Sequence, residues 1–267
     1  VGSSFFVAQD LSSNLNQKLY YRLRFTDGSF TSPYSEPVEF MVTPGYALEF
    51  DGVDDFVELP GGGGTLHEGP FYQETSNFTI EFWFKTNSNN AVMFLNDDSG
   101  FADKMRVQLD ADGFVEFNIN GGSGNQSTIL SSQSFNDGSW HYVAAIRAGI
   151  SSIRLYIDGE LEAFDDVNNG GGINTRNNPR IGSAEFDGQI DEFRFWDRDL
   201  SQSEIQESLY NGLVGNEANL IAYYRFDELT GTNLPDLANS NDGTWMDAGG
   251  GVTTPQWVAS SAMAPKV

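Results

Sequence analysis

The stretch "ALEFDGVDDFVELP", residues 47–60, breaks an alternating apolar run with Asp51, Asp54 and Asp55 around Gly52. Carboxylates are hard oxygen donors, and calcium gathers about six to eight such oxygens from carboxylates, carbonyls and water. A second dense group, Asp187, Asp191 and Glu192, stands in "FDGQIDEF", and the loop "DLANSNDG" adds Asp236, Asn241 and Asp242. The competing reading is plain turn chemistry, since Asp-Gly suits tight turns with or without an ion. The spacing alone leaves both open.

Other reactive groups are scarce. The chain has no cysteine, which excludes disulfides, thiolate metal sites and a cysteine nucleophile. Its two histidines are His67, in the glycine-rich loop "GGGGTLHEGPFYQE", and His141, in "SWHYVA". Neither "GGGG" nor "NNGGG" is followed by the Gly-Lys-Ser/Thr and helix of a phosphate loop. No Gly-x-Ser-x-Gly elbow is present. The formal net charge of −24 makes nucleic acid, anionic lipid and sulfated polymers poor partners, and is compatible with divalent cations, neutral ligands or a saline medium. No apolar run reaches the roughly 18–20 residues of a membrane span, so no membrane insertion is expected. Nothing at the start reads as a signal peptide, and the chain is expected to begin inside a domain.

The elements that must hold these groups are strands. "TIEFWF" sets Ile80, Phe82 and Phe84 against Glu81 and Trp83; "MRVQLD" sets Met105, Val107 and Leu109 against Arg106 and Gln108. "IRLYID" does the same with Ile153, Leu155 and Ile157 against Arg154 and Tyr156. Period-2 alternation of this kind marks strands with one buried face. Asp-Gly pairs punctuate them, and Asp158-Gly159 predicts a two-residue hairpin turn. One helix is expected in "DLSQSEIQESLYNG", with Ser201 and Glu204 as a capping box, Leu200 and Ile205 as a hydrophobic staple and Gly212 as a stop. It is expected to lie across one edge of a β-sandwich. The 13% of aromatic residues suffices for a core, the 29 glycines point away from a helical protein, and the many short strands with turns between them predict an all-β sandwich or barrel.

Two resemblances follow. "KLYYRLRFTDGSFTSPYSEPVEFMV" is similar to the last two strands of a fibronectin type III domain, too short to complete one, so residues 1–43 are expected to be its C-terminal strands, with "TPG" as linker. From Tyr46 the phrases "NFTIEFWFKT", "DGSWHYVAAIR", "IRLYIDGELEA", "RIGSAEFDGQIDEFRFWDRDLSQSEI" and "LIAYYRFDELTGTNLPDLANSNDGTW" follow "ALEFDGVDDFVELP" in the order of the bacterial laminin G-like family, which this chain resembles over most of residues 46–245. The resemblance implies that residues 44–267 form a two-sheet antiparallel jelly-roll sandwich of the concanavalin A/laminin G type, with six or seven strands per sheet and one short helix. It also implies a frequent calcium site and a role in adhesion or carbohydrate binding. In that family the strand of Asp191 lies near the opening strand, so Asp51, Asp54 and Asp191 are the expected calcium ligands.

Jelly-rolls also host enzymes. The laminarinase-like pattern Glu-x-Asp-x-x-Glu finds only "EFDGQIDE", where order and spacing are wrong, and the His-Tyr pair of alginate lyase-like jelly-rolls has no counterpart among basic residues. The chain is therefore read as non-catalytic. Sugar recognition combines a flat aromatic with directional polar groups. Trp83, Arg106, Gln108, Arg154 and Tyr156 stand on strand faces opposite the expected core, and loops add Phe71, Tyr72, Phe101 and Arg176. Of these, Trp83, Arg106, Tyr156 and Tyr72 are the chosen ligand contacts. The expectation is a secreted or cell-surface, calcium-stabilised module that binds a polysaccharide or glycan. The alternatives are an adhesive or structural repeat with a protein or cell-surface partner and, further off, a polysaccharide hydrolase or lyase.

Overall fold

The computed structural model describes residues 18–21, 32, 36, 38–41, 45–61, 69–72, 77–97, 104–122, 125–166, 171–173, 178–183, 185–209, 211–247 and 256–262. The chain divides into two compact units, the first being Val1–Gly45 and the second Tyr46–Pro265. In the first, β1 (Lys18–Tyr21) and β2 (Val38–Met41) pair antiparallel, with Lys18 opposite Met41 and Tyr21 opposite Val38. The Asp27-Gly28 turn expected between them lies outside the described residues.

The second unit is a sandwich. In chain order its elements are β3 (Gly45–Asp51), β4 (Asp55–Glu58), β5 (Phe78–Thr86), β6 (Val92–Asp97), β7 (Lys104–Leu109), β8 (Phe114–Asn120) and β9 (Gln126–Ser134). Then come β10 (Trp140–Ala148), β11 (Ser152–Ile157), β12 (Glu160–Asp165), β13 (Arg180–Ile181), β14 (Asp187–Trp196) and α1 (Gln202–Ser208). The last are β15 (Leu220–Tyr224), β16 (Asn233–Leu234), β17 (Gly243–Asp247) and β18 (Gln256–Ser260). The first sheet runs β12-β11-β10-β5-β14-β3-β18, with β15 also bonded to β14. The second runs β16-β17-β4-β13-β6-β7-β8-β9. Among the described residues each sheet thus has eight strands, slightly more than expected.

The alternation read from the sequence fixes which side chains meet between the sheets. Ile80, Phe82 and Phe84 of β5, Met105, Val107 and Leu109 of β7, and Ile153, Leu155 and Ile157 of β11 all join one core cluster. Phenylalanines dominate it: Phe78 stacks on Phe195 at 5.8 Å and Phe82 on Phe193 at 5.7 Å between ring centroids. The β11–β12 turn has φ of +52° at Asp158 and +83° at Gly159, the doubly positive geometry of a tight hairpin.

Strand β14 changes partners midway. Asp187–Ile190 pair with β3, and Phe193–Trp196 pair with β15. The switch falls at a bulge between Asp191 and Arg194, where Glu192 takes φ +54°. Helix α1 is capped as expected: the Ser201 N–H donates to Glu204 Oε2 at 2.8 Å and the Glu204 N–H to Ser201 Oγ at 3.4 Å. Its placement differs from expectation. Leu200, Ile205 and Leu209 pack on Trp83, Tyr142, Ile146, Tyr156, Trp196 and Tyr223, so the helix covers the outer face of the first sheet rather than an edge. That face is itself apolar, and an amphipathic helix buries more there than along a rim. Among the described residues no helix is long and apolar enough to cross a membrane.

Candidate functional site

The two outer faces of the sandwich are treated in opposite ways. The first is sealed. Trp83 is 6% exposed and Tyr156 7%, both beneath α1 and its flanks, so neither is open to a ligand as the sequence reading supposed. Alternation had placed them correctly outside the core, but the helix closes over that face. Under it lies a fully buried ion network. Arg194 Nη2 donates to Glu192 Oε2 at 2.9 Å, and Arg194 Nη1 reaches Glu81 Oε1 at 3.5 Å. The Tyr223 hydroxyl donates to Glu192 Oε2 at 2.6 Å and Trp196 Nε1 to Glu81 Oε1 at 3.0 Å. Arg194 also donates to the Ser208 and Asn211 carbonyls, at 3.4 and 3.2 Å, and so fastens the end of α1 to the sheet. Glu192 is thereby a structural anion and not a calcium ligand.

The second outer face carries no covering helix or strand among the described residues. Strand register lines up its outward side chains in rows. One row runs Thr244, Glu58, Arg180, Leu95, Arg106, Asn118, Thr128 across seven strands. Beside it run Gln108, Glu116 and Leu130, and on its other side Asp97, Lys104, Asn120 and Gln126. Arg106 Nη2 pairs with Glu116 Oε1 at 3.2 Å and Gln108 Nε2 donates to the same oxygen at 3.0 Å. Asn118 Nδ2 donates to Thr128 Oγ1 at 2.6 Å. Arg180 lies with its guanidinium carbon 4.4 Å from the Phe56 ring centroid. Of the four chosen ligand contacts, Arg106 alone stands on this face. The sequence reading missed Arg180, because β13 is a two-residue strand with no periodicity to detect, and with it Glu58 of β4 and Leu95 of β6, which β13 joins in one row.

At a corner of the sandwich the ligand oxygens of Asp51, Asp54 and Asp55 all come within 4.8 Å of one another. Gly52, at φ +73°, makes the turn possible, and a Cβ there would sit 2.8 Å from Asp187 Cβ. The Val53 N–H donates to Asp51 Oδ1 at 2.8 Å. Burial first, then the charges of Asp51, Asp54 and Asp247, push the Asp55 carboxyl up to about 6, although a backbone hydrogen bond at Asp51 pulls the other way. The donor set is all hard oxygen and electrostatically strained, which fits a calcium ion.

Asp191 does not belong to this corner. Register places Asp187, not Asp191, opposite Asp51; Asp191 is fully buried four residues further along and accepts a 2.6 Å hydrogen bond from Ser260 Oγ. The loop of Asp236 is not a cation site either. Its carboxylate already accepts the backbone N–H groups of Tyr223, Ala238, Asn239 and Asn241 at 2.8–3.0 Å. Phe71 is a core residue, 5.2 Å from the Phe195 centroid, and Tyr72 is half-buried beside it. His67, Phe101 and Arg176 lie outside the described residues.

His141 is held between two turns, with Nδ1 2.8 Å from Asp158 Oδ2 and Nε2 3.2 Å from Asp137 Oδ1. Burial pulls its pKa down, but the two carboxylates outweigh that and raise it above the ordinary value. A cleft of about 200 Å³ beside α1 is lined by Trp196, Arg198, Glu204, Glu207 and Asn211 among others. Arg198 lies 5.1 Å over the Trp196 ring and pairs with Glu204 at 2.8 Å, so the flat aromatic surface there is already covered.

Residues 51–206, more than half of the chain, match the family model described as the concanavalin A-like lectin/glucanases superfamily. Among solved structures the chain is similar to a candidate carbohydrate-binding protein of Bacteroides ovatus, at 16% identity and a TM-score of 0.59, over 92% of this chain and 70% of that one. It is also similar, at TM-scores of 0.44, to domains LG4-5 of the mouse laminin α1 chain (18% identity, 66% of this chain, 50% of that one) and to the CBM40 of a Ruminococcus gnavus IT-sialidase (19% identity, 57% and 96%).

Proposed function

The chain belongs to the concanavalin A-like lectin/glucanase superfamily, and on that premise we propose that it is a non-catalytic carbohydrate-binding module whose contact surface is the open face of the second sheet. The observation that carries this is the asymmetry of the outer faces. One buries its aromatics under α1, and the other presents a solvent-accessible ladder of planar polar side chains, Glu58, Arg180, Arg106, Gln108 and Glu116, with the half-buried Leu95 among them. Neighbouring strands are about 4.8 Å apart. Directional groups therefore recur at roughly the step of one sugar ring, with apolar area between them for the ring C–H face.

The same register argues against hydrolysis. Glycosidases of the two-carboxylate kind need their carboxyls about 5–9.5 Å apart. Glu58 and Glu116 are separated by four inter-strand steps, about 19 Å at the usual spacing. Glu116 is also paired with Arg106 and accepts a hydrogen bond from Gln108. The test is affinity electrophoresis against a polysaccharide panel. The Arg106→Ala/Gln108→Ala double variant, shown to be folded by circular dichroism, is expected to lose retention. Retention equal to that of the parent would overturn the assignment of this face.

Calcium is the second part of the proposal. Asp51, Asp54 and Asp55 would hold the ion, which would offset their mutual repulsion and fix the β3–β4 turn. A melting temperature that rises with calcium and falls on chelation supports this, and one indifferent to both ends it. Work at a cell surface or in a secreted assembly accords with the family of the domain and with the acidic surface.

A further inference from the structure

Acidic residues outnumber basic ones by 38 to 14, so nearly every arginine should find a carboxylate. Arg106, Arg154, Arg194, Arg198 and Arg225 do, at 2.8–3.5 Å. Arg180 does not. It is exposed, and among the described residues its guanidinium makes no ion pair and lies instead over the Phe56 ring. Glu58 stands directly opposite it in register, yet the two are not within ion-pairing distance. Arg180 sits in the middle of the open row, two strands from Arg106 and next to Leu95.

An aromatic plate beneath a guanidinium fixes its plane and leaves its edge donors pointing outward. That edge matches a carboxylate, which takes two parallel N–H···O bonds. The rest of the face is close to electrically balanced: Glu116 offsets Arg106, and Lys104 stands opposite Asp97. The acidic remainder of the molecule acts weakly here, because charges further away than about 8 Å are largely screened at physiological salt.

We propose that the saccharide bound on this face carries a carboxylate, that of a uronic acid, and that Arg180 is its anchor. This rests on the reading of the open face as the carbohydrate site. Glu58 sets the opposing limit, as an acceptor for a neighbouring hydroxyl that also repels a second negative charge close by.

The test measures the full chain against polygalacturonate, its methyl ester, alginate, polyglucuronate and a neutral β-glucan, with calcium chelated so that no ion bridges protein and polymer. Binding to at least one polyuronate is expected to weaken on methyl esterification. Arg180→Gln should lower that affinity about 10-fold to 100-fold, and Glu58→Gln should raise it. Equal affinity for the ester or the neutral glucan, with Arg180→Gln silent and Arg106→Ala/Gln108→Ala still abolishing retention, overturns the acidic-sugar proposal and leaves the face in place. Binding to no polyuronate also overturns it. Binding indifferent to Arg106, Gln108 and Arg180 alike would sink the reading of the face itself.

Discussion

The two sheets meet the same core with the same alternation, yet their outer faces have opposite fates. On the first, Glu81, Glu192 and Arg194 are removed from water and made to hold one another and the end of α1. On the second, Arg106, Gln108, Glu116 and Arg180 keep contact with solvent. The difference teaches that a polar side chain on the outside of a strand carries no fixed meaning. Its role depends on whether a later element comes back to cover it.

The sharpest way to break this comparison is to remove the charge from the sealed face. Arg194→Met strands two buried carboxylates and should cost about 3–5 kcal/mol, measured by urea denaturation, while retention of saccharide by the folded fraction stays unchanged. A loss below about 1 kcal/mol would mean the network does not fasten the helix.

The acidic corner should respond next, and in the other direction. Asp55 titrates near 6 in the fold against an ordinary 3.8, so the folded state holds its proton more tightly. That stability is fully present below the ordinary value and is lost as pH rises through about 6 in the metal-free protein. Asp55→Asn should flatten this slope, raise metal-free stability at neutral pH and abolish any response to calcium.

A smaller effect is expected at the helix cap, where Ser201→Ala should cost about 1 kcal/mol. His141 should give the weakest signal. Its raised pKa means that its contribution is complete below the ordinary value of 6.5 and fades as pH climbs through the folded value. His141→Gln should remove that slope from a series of melts, and a slope that persists in the variant would assign it elsewhere. On the open face, Arg106→Ala should shift stability by less than about 1 kcal/mol while retention falls, the reverse of Arg194→Met.

Much of the fold could be read in advance because its signals are local. Alternation at Ile80, Phe82 and Phe84, the Asp158-Gly159 turn and the Ser201–Glu204 box each depend on residues within a few positions. The site was less accessible because it depends on register. Nothing near Arg180 in the chain says that it will face Glu58 on one side and Leu95 on the other. Trp83 and Tyr156 misled for the same reason, since the helix that hides them is made well over 40 residues later. Asp191 was expected at the acidic corner because the family resemblance brings its strand beside the opening one; the strands do pair, but the register sets Asp187 opposite Asp51 and leaves Asp191 four residues along, against Ser260.

Strand β3 has its hydrogen-bonding neighbours in β14 and β18, whose residues begin at 187 and 256. A growing chain must therefore carry Leu48 and Phe50 bare for well over a hundred residues of synthesis before either edge can be satisfied. Assembly of this sandwich should be slow, dependent on the late arrival of distant segments, and vulnerable to self-association when translation stalls before β14. Ribosome-bound fragments ending short of residue 187 should recruit holdase chaperones, and those extended past residue 196 should begin to let them go.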